Sequence, residues 1–94
     1  MKAYWIARIN ILDTAKLEAY LPLSAKAIAK YGGKYLARGG KNISKEGPSY
    51  VRTVVVEYPS FDQAHAAYES DEYKIAREIL GDGVDRIFVI VEGV

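Results

Sequence analysis

Arg8 is the residue whose type and place most invite chemistry. It sits inside an apolar run, Ala3-Tyr4-Trp5-Ile6-Ala7-Arg8-Ile9-Asn10-Ile11, where a cation must find a partner or reach a pocket. Its planar fork of donors suits a carboxylate or an enolate. The alternative is a structural arginine paired with a carboxylate such as Glu57 or Glu92. Arg38, followed by Gly39-Gly40, is a second candidate anion anchor, because glycine lets a ligand approach the backbone closely; the same residues also read as a turn after an edge strand. His65 is the only histidine and so the only side chain that is an ordinary base near neutral pH. It borders a helical stripe of Phe61, Ala64 and Tyr68, one turn from Glu69. Facing a cleft, it could take a proton from an activated carbon acid while an arginine holds the oxyanion; facing solvent, it does nothing. Tyr68 is the fourth candidate lining residue, with Tyr73 beside it if the helical region opens a cleft. Glu57 and Glu92, at strand ends, could act as an acid–base pair or stay solvated. No catalytic residue can be assigned from these patterns.

Several chemistries lack their residues. Cysteine is absent, which removes disulfides, thiolate metal sites and a Cys nucleophile. His65 and Glu69 alone fall short of a metal site's three or four ligands. Gly81-Asp82-Gly83 is followed by Arg86 where a dinucleotide fingerprint wants its third glycine, and Gly39-Gly40-Lys41 has no P-loop frame. No serine sits in a nucleophile elbow. No metal or cofactor is therefore expected.

The elements that must position these residues come from one domain spanning 1–94. The chain has 94 residues, 50% hydrophobic and 27% charged, which is ordinary globular usage with room for one core. No apolar run reaches the ~20 residues of a membrane span, and the N-terminus shows no signal-peptide pattern, so a cytoplasmic location is expected. Charge is split along the chain. Residues 1–45 carry nine Lys/Arg against two acids, and residues 46–94 carry four against ten. Such a split marks an anion-binding face, two chains meeting patch to patch, or a plain solvated surface.

A first strand over 3–11 would place Trp5, Ala7, Ile9 and Ile11 on one face and Tyr4, Ile6, Arg8 and Asn10 on the other. Asp13 reads as an N-cap. Leu17, Tyr20, Leu21, Ser24, Ala27, Ile28 and Tyr31 then form one helical face, with a kink or a restart expected at Pro22 and an end at Gly32-Gly33. A short strand over 34–38, a polar connection, a strand over 50–58, and two helical pieces opened by Ser60 (with Gln63, a capping box) and Ser70 follow. Gly81 and Gly83 close the second piece, and a last strand covers 86–92. The order βαββαβ predicts an α+β, ferredoxin-like antiparallel sheet with helices on one face. Two strands are apolar on both faces, although helices can cover only one. A bare face of Val, Ile and Phe exceeds what monomers tolerate, so a second copy is expected to cover it as a homodimer.

Ordered segments carry a resemblance. Ala3-Tyr4-Trp5-Ile6-Ala7-Arg8, Ala29-Lys30-Tyr31-Gly32-Gly33, Leu36-Ala37-Arg38-Gly39-Gly40, Tyr58-Pro59-Ser60-Phe61, Tyr68-Glu69-Ser70 with Glu72-Tyr73, and Val91-Glu92-Gly93-Val94 resemble the bacterial family known as domain of unknown function 1330. The resemblance implies the dimeric α+β barrel superfamily, in which ferredoxin-like protomers pair through their sheets. It implies no catalytic residue, and relatives of that fold range from cofactor-free monooxygenases to stress proteins.

The leading functional expectation is a dimer binding a small anionic or aromatic molecule between sheet and helices, lined by Arg8, Arg38, His65 and Tyr68. A cofactor-independent oxygenase or isomerase adds His65 as base. A nucleic-acid module would need exposed aromatics and a Lys/Arg-Gly-aromatic pattern on the third strand, which Val51-Arg52-Thr53-Val54-Val55-Val56-Glu57 lacks. A structural or regulatory dimer without ligand is the fourth reading.

Overall fold

The computed structural model describes residues 1–94. Asp13 accepts a hydrogen bond from the Lys16 amide and opens the first helix as an N-cap. Strands β1 (Ala3–Ile11), β2 (Lys34–Arg38), β3 (Arg52–Tyr58) and β4 (Val84–Glu92) alternate with helices α1 (Thr14–Lys30), α2 (Phe61–Glu69) and α3 (Asp71–Leu80). The strands form one antiparallel sheet in the order β2-β3-β1-β4, the arrangement the βαββαβ pattern predicts. None of the helices is long and apolar enough to cross a membrane.

One expectation fails. Helix α1 runs through Pro22 without a restart. Proline removes one amide donor from the ladder, toward the carbonyl of Glu18. Both residues lie on the exposed side of the helix, where water can serve that carbonyl. The capping box at Ser60 is half made. The Ser60 hydroxyl accepts from the Gln63 amide, while the Gln63 side chain donates to the Tyr31 carbonyl and ties α2 to the end of α1. Ser70 ends α2 and opens α3, accepting from the Tyr73 amide. Gly32 ends α1 with φ of 80°, a left-handed conformation that glycine adopts without a Cβ penalty.

The core lies between the sheet and the helices. Ala3, Trp5, Ala7 and Ile9 point into it from β1, and their neighbours Tyr4, Ile6, Arg8 and Asn10 point away. Trp5 is its centre: the indole packs against Tyr58, Tyr73 and Phe88, and its Nε1 donates to the Ala64 carbonyl at 2.8 Å. A buried indole keeps its full apolar contribution only because this N–H is satisfied.

The opposite sheet face has no helix. Ile87, Val89 and Val91 on β4 remain 53%, 52% and 41% exposed, next to Tyr4 and Ile6 of β1 in the register. The connection 39–51 folds over one end of this face and is fastened by side chains. Asn10 donates to the Ser49 carbonyl and accepts from the Val51 amide, and Thr53 donates to Asn42.

Candidate functional site

A cavity of about 40 Å³ opens between the helix side of the sheet and α1. Its floor is the β1 row Trp5, Ala7 and Ile9, and its roof includes Leu17, Tyr20 and Ser24 of α1. Three arginines, Arg38, Arg52 and Arg86, reach its edge. Strand register explains why they meet. Ile9 lies opposite Arg52 of β3 on one side and opposite Arg86 of β4 on the other, so the two share one rung and one face, with backbones about 10 Å apart across two strand spacings. Arg38 pairs with Val54, two rungs along and so on the same face, at the exposed edge strand.

None of the three has a carboxylate partner. The ion pairs of the structure are Lys2–Glu57, Lys16–Asp82, Lys30–Glu72 and His65–Glu69, none of which involves an arginine. The guanidiniums rest on aromatic rings instead. Arg38 lies 4.2 Å from the Tyr35 ring centre, and Arg86 lies 5.1 Å from Phe88 and 5.7 Å from Tyr20. Such contacts attract a cation to the ring face and use none of its N–H donors. Arg52 Nε is buried with no hydrogen-bond partner. Its guanidinium fills the space a Cβ would take at Gly39, so this glycine, with φ of 72°, is required both by the turn and by the arginine.

The polar groups of the cavity are donors. Arg86 Nη1 stands 3.4 Å from both the Tyr20 and Tyr73 hydroxyls, which are 2.6 Å from each other. Burial pushes the Tyr73 phenol far above its ordinary value, and burial also raises Tyr35; both stay protonated near neutral pH. One hydroxyl of the Tyr20–Tyr73 pair donates to the other, which leaves one O–H free to donate onward. No Asp, Glu or His lines the cavity.

Of the four residues singled out in the sequence, only Arg38 reaches this cavity. Arg8 points from the other face of the sheet, where its Nη2 donates to Ser44 Oγ at 2.6 Å, its Nε lies 3.4 Å from Thr53 Oγ1 and its guanidinium stands 5.2 Å from the Tyr50 ring. It pairs with neither Glu57 nor Glu92. An open hollow of about 330 Å³ lies there, bordered by Arg8, Lys41 and Lys45. His65 on α2 has a side chain 59% exposed and 3.6 Å from Glu69, outside the cavity lining. Tyr68 packs against Phe88 and Arg77 at the α2–α3 end of the core. Glu57 faces away from the helices and takes Lys2, whereas Glu92, opposite Ala3, shares the helix-side parity, so the two form no pair. The cavity residues not singled out, Arg52 and Arg86, carry a readable signal: each keeps step with core-facing residues (Val54 and Val56, Phe88 and Ile90), so strand alternation sends it inward.

The family profile of a domain of unknown function, DUF1330, matches residues 2–94. The chain belongs to this family. Comparison with curated proteins gives no match. Among solved structures, the DUF1330 chain is similar to a protein of unknown function from Rhodopseudomonas palustris, with a TM-score of 0.80, 16% identity, and 99% of this chain and 82% of that chain covered. It is similar to SnoaB, a cofactor-independent oxygenase from Streptomyces nogalater, with a TM-score of 0.67, 10% identity, and 99% and 93% covered. A dimeric ferredoxin-like protein of unknown function from Thermobifida fusca gives 0.59, 18% identity, and 99% and 92% covered. At these identities the likeness is one of fold, and it establishes the ferredoxin-like class.

Proposed function

We propose that this DUF1330 protein works as a homodimer that binds a small organic anion in the cavity between the sheet and α1. The observation that carries the reading is three guanidiniums around one apolar cavity with no carboxylate among them. Cations at an apolar cavity without counter-charge are costly to keep, and an anion entering the cavity relieves that cost through charge-assisted bonds. The cavity as it stands has room for about three or four waters, at roughly 10–15 Å³ each. A larger ligand enters by displacing Tyr35 and Arg38 on edge strand β2, where Arg38 is already exposed. The second copy covers the other face of the sheet: Ile87, Val89 and Val91 form an apolar strip of the kind that marks an interface, and the Thermobifida fusca relative is described as dimeric.

An oxygenase-type reaction is a second reading, supported by the fold likeness to SnoaB. It would need a base, and His65 lies outside the lining.

Binding is tested by titrating butyrate and benzoate into the ¹⁵N-labelled protein. Saturable shifts are expected at Tyr35, Arg38 and Arg52, with affinity about tenfold weaker in Arg52→Gln, since a hydrogen bond to a charged group contributes about 1.5–3 kcal/mol. Absence of saturable shifts with every acid sinks the proposal.

A further inference from the structure

Resting on the anion-binding reading, we infer that the ligand carries an oxygen acceptor at each of two ends, as dicarboxylic and oxo-carboxylic acids do, and that the cavity rejects acids bearing an ammonium group. The arginines divide into two poles. Arg38 and Arg52 stand together on the β2–β3 side, where Arg52 fits against Gly39. Arg86 stands on the β4 side with the Tyr20–Tyr73 hydroxyl pair at 3.4 Å. Ala7 and Ile9 of β1 lie between them as an apolar floor.

Each pole offers donors in surplus. The first has two cations, one with a buried Nε lacking any partner. The second has one cation and one free phenolic O–H. Guanidinium is donor-only, and a protonated phenol keeps its single proton. A monocarboxylate with an alkyl tail satisfies one pole and lays apolar carbon on the other, leaving buried donors unmet at the full desolvation cost. A second oxygen at the far end, charged or neutral, meets both. An ammonium there faces Arg86 with no carboxylate near it, so charge repulsion and missing acceptors both oppose binding.

The experiment compares acids of matched length on the intact protein by calorimetry: butyrate, valerate and hexanoate against succinate, glutarate and adipate, with 5-aminovalerate as the ammonium probe. At the best-fitting length the dicarboxylate is expected to bind about tenfold or more tighter than the monocarboxylate, and 5-aminovalerate weaker than valerate. Arg86→Gln should weaken dicarboxylates at least about fivefold more than monocarboxylates, the double variant Tyr20→Phe with Tyr73→Phe should lessen the dicarboxylate preference, and Arg52→Gln should weaken both classes. The double phenylalanine variant keeps the ring packing, so it serves if Arg86→Gln does not fold. Equal affinity at every length, or a preference unchanged in both Arg86→Gln and the double phenylalanine variant, overturns the two-pole inference and leaves anion binding standing. Failure of every acid to bind overturns both.

Discussion

The two faces of the sheet treat the same side chain in opposite ways. On the helix-free face, Arg8 gives its donors to Ser44 and Thr53 and its ring-facing surface to Tyr50, so this cation holds the 39–51 connection in place. On the helix side, Arg52 and Arg86 lie in the neighbouring rung, yet they hold no acid: Arg52 Nε is buried without a partner, and Arg86 meets only the Tyr20 and Tyr73 hydroxyls. The polar contacts of Arg8 are enough to fix a loop, whereas the aromatic surroundings of Arg52 and Arg86 leave room for the acceptor that the proposed function supplies.

The largest effect that would break this division is on the exposed strip. Val89→Asp places a charge in the proposed dimer interface and should weaken self-association by about 100-fold or more, read as the loss of the double mass in native mass spectrometry. A dimer that persists would mean that the copies meet elsewhere or that Val89 is at the rim.

Arg8→Ala should cost about 1–2 kcal/mol in chemical denaturation, from two hydrogen bonds and ring contact. It should also speed amide exchange in 39–51 while leaving acid affinity unchanged. Weaker acid binding in this variant would erase the contrast between the faces.

The smallest effect is one of pH. Burial raises Tyr58 and Tyr73 above the ordinary phenol value. Their protonated forms are therefore favoured by folding, and that contribution is whole below about pH 10 and lost as pH rises beyond it. Thermal unfolding should be flat from pH 7 to 9 and fall above about pH 10, and Tyr73→Phe should lessen the fall. A melting temperature that stays level to pH 11 would contradict the burial argument on the helix side.

Much of the frame was legible because its causes are local. Asp13, Ser60 and Ser70 cap the helices the sequence places after them, and β2 spans the residues its pattern predicts. Strand ends were less legible. The third strand begins at Arg52 and not at Tyr50, because the backbones of Ser49 and Val51 are taken by Asn10, forty residues away in sequence. The last strand begins at Val84 and not at Arg86, because the end of β1 offers Asn10 and Ile11 as partners to Asp85 and Val84. Pro22 looked like a break, but its lost bond falls on the wet side of α1.

The candidate site divides the same way. Alternation along one strand already assigned Arg8 to the face opposite Trp5, and the sequence by itself also determined the helix caps, the βαββαβ order and an apolar sheet face lacking a helix. Grouping Arg8 with Arg38, His65 and Tyr68 ignored that parity. Only the tertiary structure decided that Arg52 and Arg86 flank Ile9 in one rung, that Arg38 joins them across a bulged edge strand, and that no acid lines the cavity they border. The physical reason is range: alternation and capping act over a few residues, whereas register and the pairing of charges are set by strands far apart in the chain, such as those that bring Arg8 opposite Ile87 and Ala3 opposite Glu92.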